Sequence, residues 1–446
     1  MSSPDRFREI LHRPLTPPLW PKVRRGLGAF VRNIPRILRW SIRGVGVLLI
    51  LATVSWIVLS MVSCSRLESA IQEFRSDPTL KDPLIDPSRQ VASQDNGAPY
   101  FSAAFSLLEG LGNDPGYMTL ISNRGWTGLS ETNKQAVRKW LDSAGVAFEM
   151  AERGARKPRC VFERKLEGTR WQIPLLEVGK VGWMTGTLAT RGRMLGSEGK
   201  NEEARRSIAL AFAVADCLRE DPFLPSQQIR ASWHALVCWA IPEAIGSDPT
   251  AKDLEEWIKA VPLPERFDSA LDLGLRGDAF GVLDTVDGPM GEYWEAIRWF
   301  PVNTPSSLTR RLNDPWARFD AAKAIAGCLR VIPLCRRPAA EAWFEATRIR
   351  AEIGRQSDFP SWISRHSSNL ILQIEKTRAS LLVTRAGLEF EKIRAETGRY
   401  PDRCETIDPF TGKPLLFESS PARLSTAGPT TPGEPSRVHT WTLRGK

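Results

Sequence analysis

The strongest constraint on this chain is a run of 22 residues without a charge, GVGVLLILATVSWIVLSMVSCS from Gly44 to Ser65, bracketed by Arg43 and Arg66. In a helix rising about 1.5 Å per residue the run reaches roughly 33 Å, enough for a hydrocarbon core about 30 Å thick. No other window of the sequence approaches it. The run predicts a single transmembrane helix over 44–65, with Gly44 and Ser65 as the limits of the membrane anchor and membrane lipid as the first partner.

Charge sets the expected orientation. Residues 1–43 carry ten basic side chains against Asp5 and Glu9, and positive charge beside a span is retained on the cytoplasmic face. The N-terminus is therefore expected inside a bacterial inner membrane, with the C-terminal region extracytoplasmic. Removing the arm's ten basic and two acidic residues from totals of 61 and 51 leaves 51 against 49. The pI of 9.4 is thus largely the arm's property, and nucleic acid is not an expected partner. Pro14, Pro17, Pro18 and Pro21 make the first part of the arm extended. Val23, Leu27, Phe30, Val31, Ile34 and Leu38 then fall at helical spacing among arginines, a pattern suited to a topology signal or to anionic headgroups.

Two other readings of the apolar run stay open. A cleaved signal peptide has a shorter charged region and an apolar core of about 7–15 residues. The sequence from Leu59 to Cys64, LSMVSC, has a faint likeness to a lipobox that would lipidate Cys64. The other six cysteines, Cys160, Cys217, Cys238, Cys328, Cys335 and Cys404, would lie in an oxidising space where disulfides are permitted. Cys217 and Cys238 fall on consecutive predicted helices and are near enough in sequence to meet. Cys328 and Cys335 need a break at Pro333 before they can. No CxxC occurs, and His234, His366 and His439 alone follow the span, so neither a zinc site nor any cofactor is expected.

After a short helix near 65–75, residues 66–99 read as a stalk or irregular wrap rich in Asp and Pro. Helical periodicity then runs through residues 100–397. Its stripes include Phe101, Ala104, Phe105 and Leu108; Val137, Leu141, Phe148 and Ala151; Ile208, Ala211 and Val214; and Leu254, Trp257 and Val261. Later stripes run Phe319, Ala322, Ile325, Ala326 and Leu329, then Ala379, Leu382, Val383, Ala386, Phe390 and Ile393. Asp248-Pro249 and Asp314-Pro315 read as an N-cap followed by Pro at the first helical position. Leu188, Gly192 and Leu195 followed by Ala204, Ile208 and Ala211 resemble one tetratricopeptide hairpin without a second copy in register. The expected class is mainly α, an irregular array of about ten helices.

At the C-terminal end a predicted helix over 379–397 runs into Gly398-Arg399-Tyr400-Pro401, followed by Asp408-Pro409-Phe410-Thr411-Gly412-Lys413-Pro414. Gly398 offers a left-handed helix stop, Asp408-Pro409 and Gly412 shape a turn, and a strand from Pro414 to Glu418 follows. Alternation over 438–443 is expected to complete a β-hairpin across a Pro/Ser/Thr-rich loop at 419–437. This segment, 398–446, resembles the ending of type II secretion major pseudopilins. The resemblance implies a local helix–turn–hairpin, carried by Gly398, Tyr400, Pro401, Asp408, Pro409, Gly412 and Pro414. The overall layout resembles that of uncharacterised bacterial single-pass membrane-anchored helical proteins, a likeness that implies no activity.

No nucleophile elbow, HExxH, phosphate loop or dinucleotide fingerprint is present. The best acidic cluster is Asp278, Asp284 and Asp287 followed by Glu292-Tyr293-Trp294-Glu295 and Trp299. Carboxylates beside Trp suit glycan hydrolysis, with Glu292 and Glu295 as candidate catalytic residues, but on one helix face they equally form a solvated surface. His234, beside Trp233, reads as a core histidine. The expected function is a binding or assembly factor at the cell envelope, engaging envelope proteins. An envelope glycan hydrolase and a secretion-system component are the alternatives.

Overall fold

A computed structural model describes residues 36–112, 125–164, 170, 173–286, 307–353, 358–419, 422–427, 430–431, 434–435 and 439–444. The chain divides into two compact units, Met1–Cys64 and Ser65–Lys446. Helix α1, Arg36–Ser76, contains the uncharged run and continues past it without a break, so the short helix expected near 65–75 is the end of α1. Within α1 the segment Trp40–Ser76 is long and apolar enough to cross a membrane, with a mean hydropathy of 2.5 and no burial in its most apolar window. Its length and apolar character are consistent with membrane anchoring.

The second unit is mainly helical, and the described residues of the whole chain hold twelve α-helices. Its first half comprises α2 (Ala98–Gly110), α3 (Glu131–Ser143), α4 (Gly145–Ala155), α5 (Leu176–Ser197), α6 (Asn201–Ala215) and α7 (Leu224–Ala244). The second half comprises α8 (Ala251–Ala260), α9 (Asp268–Val286), α10 (Ser307–Val331), α11 (Ala339–Ile353) and α12 (Asp358–Thr397). Helices α5 and α6 form the hairpin read from the sequence. Gly192 lets them close, since a Cβ there would lie 2.8 Å from Ile208. Helix α7 packs on both and on α12, which also meets α8, α10 and α11. Each fully buried leucine along α12, Leu370, Leu381 and Leu388, contributes about 2 kcal/mol from burial.

Two expected helix starts are corrected. The N-cap of α8 is Thr250, not Asp248: Thr250 Oγ1 accepts from the Asp253 N–H at 3.1 Å, and Asp253 accepts the Thr250 N–H at 3.0 Å. That reciprocal pair satisfies two end donors, which Asp248 is too far upstream to do. Pro315 lies inside α10, not at its start, because the helix already begins at Ser307. The buried face of α10 only partly follows the expected stripe. Ile325 of the expected stripe is buried and Ala322 and Leu329 pack against the core, but Ala326 is exposed and Ala317, Ala321, Ala324 and Cys328 are buried as well, so the buried face is wider and shifted towards small residues.

Of the two readings of residues 66–99, the wrap is what forms. Phe74 is buried edge-on to Phe280, and residues 77–97 lie along the helical body as a strap. The Gly97 N–H donates to the Arg159 carbonyl at 2.8 Å, and Arg170 clamps Asp82. The C-terminal hairpin gains a strand. β1 (Leu416–Ser419) pairs antiparallel with β2 (Ala422–Ser425), and β5 (Thr440–Thr442) pairs with β2 rather than with β1. A short ladder of β3 (Thr430–Thr431) with β4 (Glu434–Pro435) lies between them in sequence. The segment assigned to a loop at 419–437 thus supplies the central strand, because Leu424 faces Trp441 and both are buried. Trp441 docks on α12 at Gly387, where a Cβ would come within 2.5 Å of the indole.

Candidate functional site

Helix α12 stops at Gly398, whose φ of +79° suits a residue without a side chain and whose N–H donates to Arg394 O at 2.8 Å. The chain then folds back through Tyr400 and Pro401. The Tyr400 hydroxyl lies 3.0 Å from Glu391 Oε1 and 2.8 Å from the Arg444 carbonyl. Its single proton is shared between these acceptors. Burial, followed by the adjacent Glu391 carboxylate, holds the Tyr400 phenol well above its usual range.

Glu391 is the centre of this knot. Only 2% exposed, it accepts the Arg444 N–H on Oε1 at 2.8 Å and faces Arg394 Nε at 3.3 Å through Oε2. The Arg394 guanidinium sits 5.3 Å from the centre of the Tyr400 ring and donates to Arg444 O at 3.2 Å. The Arg444 guanidinium donates to Ser247 O at 2.7 Å and Pro242 O at 3.4 Å, at the C-terminal end of α7. There the helix dipole favours a cation, while burial pulls the guanidinium below its ordinary value.

Asp408 forms a second knot. Its Oδ1 accepts from Phe410 N at 2.9 Å and its Oδ2 from Ala427 N at 2.7 Å, and the residue is 1% exposed. The Gly412 N–H donates to Asp408 O at 2.9 Å with φ +65° at Gly412, and Ile407 bridges Pro414 beyond Pro409. The carboxylate is spent on the backbone and holds the turn to the sheet. Among the described residues no group of three His, Cys, Asp or Glu side chains is placed to hold a metal ion.

These elements border a cleft of about 880 Å³ between the start of α8, the end of α12, Ser419 of β1 and Ala422 of β2. Arg394, Arg399 and Arg444 line it together with Asp248 and Glu391. Arg399 is exposed, whereas Arg394 and Arg444 have donors engaged in the fold. The return of the chain from Pro401 borders a second hollow of about 500 Å³, lined by Glu389, Asp402 and Glu405 with Arg403. One loop thus presents a basic hollow and an acidic one, a surface suited to recognition.

Of the acidic cluster read from the sequence, Asp278 and Asp284 are among the described residues. Glu292, Glu295, Asp287 and Trp299 lie outside the described residues. Asp284 pairs with Arg170 Nε at 2.6 Å, and Asp278 is 5% exposed with Oδ2 unpartnered among the described residues. Burial pushes the Asp278 carboxyl up to about 8. His234 is a core histidine with Nε2 at 3.1 Å from Asp216 Oδ1, between Phe212 and Phe267. Sequence reading missed Glu391, Arg394 and Arg444. The available signal was a glutamate on the apolar stripe of α12, beside Phe390, where an unpaired charge would be costly. No known family, no curated protein and no solved structure matches the chain, so the geometry stands without a relative to lend it a function.

Proposed function

We propose that this chain is a membrane-tethered binding or assembly factor of the bacterial cell envelope, with its N-terminus cytoplasmic and residues 66–446 extracytoplasmic. The observation that carries the reading is α1: an unburied apolar helix directly after an arm of ten basic residues, a combination that supports both attachment and sidedness. The cleft beside Tyr400 is the binding face, because its exposed Arg399 stands on a loop fixed by two buried carboxylates. A rigid scaffold beneath an adaptable exposed side chain suits partner recognition. Its partner is an envelope protein offering acidic or carbonyl acceptors to Arg399.

Two measurements test this. A membrane-impermeant thiol reagent labels Ser93→Cys and spares Ser3→Cys in intact cells; the reverse pattern overturns the orientation. A photo-reactive residue at position 399 cross-links a discrete envelope protein in cells, while the same probe at exposed Val146 does not. Equal capture at both positions rejects the cleft as the binding face.

A further inference from the structure

We propose that Trp316 and Phe319 of α10 are a second membrane contact, resting in the headgroup layer of the bilayer face at which the apolar run ends. The inference rests on the reading of α1 as a membrane anchor and is indifferent to its orientation.

The last turns of α1 belong to the helical unit. Leu67 and Phe74 are buried in its core, and Ala70 and Ile71 pack against the same core. All seven cysteines are free thiols, so the meeting of Cys217 with Cys238 read from the sequence does not occur, and packing seats this end of α1 without a cross-link. Two aromatic contacts mark levels along it. The Arg66 guanidinium lies 5.4 Å from the centre of the Phe319 ring, and Phe74 meets Phe280 of α9 at 5.1 Å. Eight residues separate Arg66 from Phe74, so Phe280 is about 12 Å further along α1 than Phe319. Arg66 is the first charge after the run and in a spanning helix stands among the headgroups, with Phe319 beside it. Trp316 precedes Phe319 by one turn of α10, its ring 6.1 Å away. It is 58% exposed, unusual for so large an apolar surface.

The two ends of the run differ in what they offer the membrane interface. At the arm end, exposed Trp40 has the Arg43 guanidinium 5.8 Å from its ring centre, an aromatic and a cation just outside the first turns of the run. At the other end no aromatic residue occurs between Trp56 and Phe74. Trp56 lies ten residues before Arg66, about 15 Å inside the apolar core, and Phe74 is covered by protein. The aromatic girdle usual at a membrane interface is thus absent from α1 at this end, and α10 supplies it. An indole suits that layer because its ring is apolar and its N–H polar. The next exposed positions along α10 are Ala326 and Arg330, a methyl and a guanidinium that donates to Glu352 at 2.7 Å. Aromatic exposure on this helix is therefore confined, among the described residues, to the part that meets Arg66. A lipid contact beside the anchor restrains the helical unit from pivoting about the end of α1.

The test places an environment-sensitive fluorescent residue at position 316 of the full chain, reconstituted in vesicles of phosphatidylcholine and phosphatidylglycerol. Lipids brominated near the headgroup are expected to quench it at least about threefold more than the same residue at position 239, an exposed tryptophan of α7 that stacks on His439. Helical circular dichroism matching the parent chain shows that each variant is folded. The same fluorophore at exposed position 54, read with lipids brominated at the chain end, reports the span itself. Quenching at 54, with 316 no more quenched than 239, overturns the proposal and leaves the anchor standing. Absence of quenching at 54 removes α1 from the bilayer, and the proposal falls with it. A photo-reactive residue at 316 that captures protein and no lipid in cells also overturns it, since a protein partner then covers this face.

Discussion

The strap at 77–97 and the cap at 398–444 are both irregular, yet they are fastened by opposite chemistry. The strap is held by arginines that reach across to it. Arg170 bridges Asp82 and Asp284, Arg159 Nη1 donates to Ser88 O at 2.6 Å, and Arg276 Nη1 donates to Lys81 O at 3.4 Å. The cap is held by two carboxylates, Glu391 and Asp408, that accept backbone N–H groups. A guanidinium on a long stem bridges distant surfaces and tolerates partial exposure. A carboxylate saturated by backbone donors is buried and shapes the chain around it. The strap is therefore expected to be removable in pieces, and the cap to fail as a unit.

The largest expected effect is at Asp408. Asp408→Ala leaves the Phe410 and Ala427 N–H groups without their acceptor and is expected to cost about 3 kcal/mol. Hydrogen exchange should show the loss confined to 400–444, with α5 to α7 still protected; uniform loss across the helices would erase the distinction from the strap. Arg170→Met comes next, at about 2 kcal/mol, because Asp82 and Asp284 lose the buried guanidinium that bridges them and are themselves partly exposed. Urea melts with exchange read at 77–97 check it, and an unchanged strap would show that the arginine clamp is dispensable.

Acid and base also separate the helical body from the cap. Asp278, in the body, has its carboxyl raised from 3.8 to about 8 by burial. The folded state keeps this proton while the unfolded state releases it, so stability is present at low pH and is lost as pH rises from about 4 to about 8. Asp278→Asn is expected to raise stability at pH 8 by about 2 kcal/mol and to flatten the pH profile there. His439, in the cap, is lowered from 6.5 to about 4 by burial. Here the unfolded state binds the proton first, so stability is lost as pH falls from 6.5 towards 4. Thermal melts across this range should show the two slopes; a slope of the same sign for both residues would be inconsistent with burial as the cause. The smallest expected effect is that of Tyr400→Phe, about 1 kcal/mol, since Glu391 keeps its contacts with Arg444 N and Arg394. A loss as large as that at Asp408 would mean that the phenol, not Glu391, centres the knot.

Local features of both regions were legible beforehand. Gly398 and Gly412 marked positive φ, Asp408 marked a turn, and the Pro and Asp content of 77–97 marked irregular chain. Each is a property of a few neighbouring residues. The capping pair Thr250 and Asp253 was also local but was masked by the more prominent Asp248-Pro249. Strand β2 was missed because Ala422 to Ser425 has little strand character alone and becomes a strand only where Leu424 meets Trp441. Glu391, Arg394 and Arg444 were missed because what joins them is about fifty residues of intervening chain returning to α12.

The apolar run from Gly44 to Ser65 was decided by sequence alone, because the solvent preference of an uncharged run needs no tertiary partner. The helical class followed in the same way, from apolar spacing that only a 3.6-residue period can bury. Tertiary structure decided which groups meet: Arg170 with Asp82 and Asp284, and Glu391 with the backbone N–H of Arg444. Those pairings join residues far apart in the chain, and their energies depend on a distance and a degree of burial that exist only once the helices have packed.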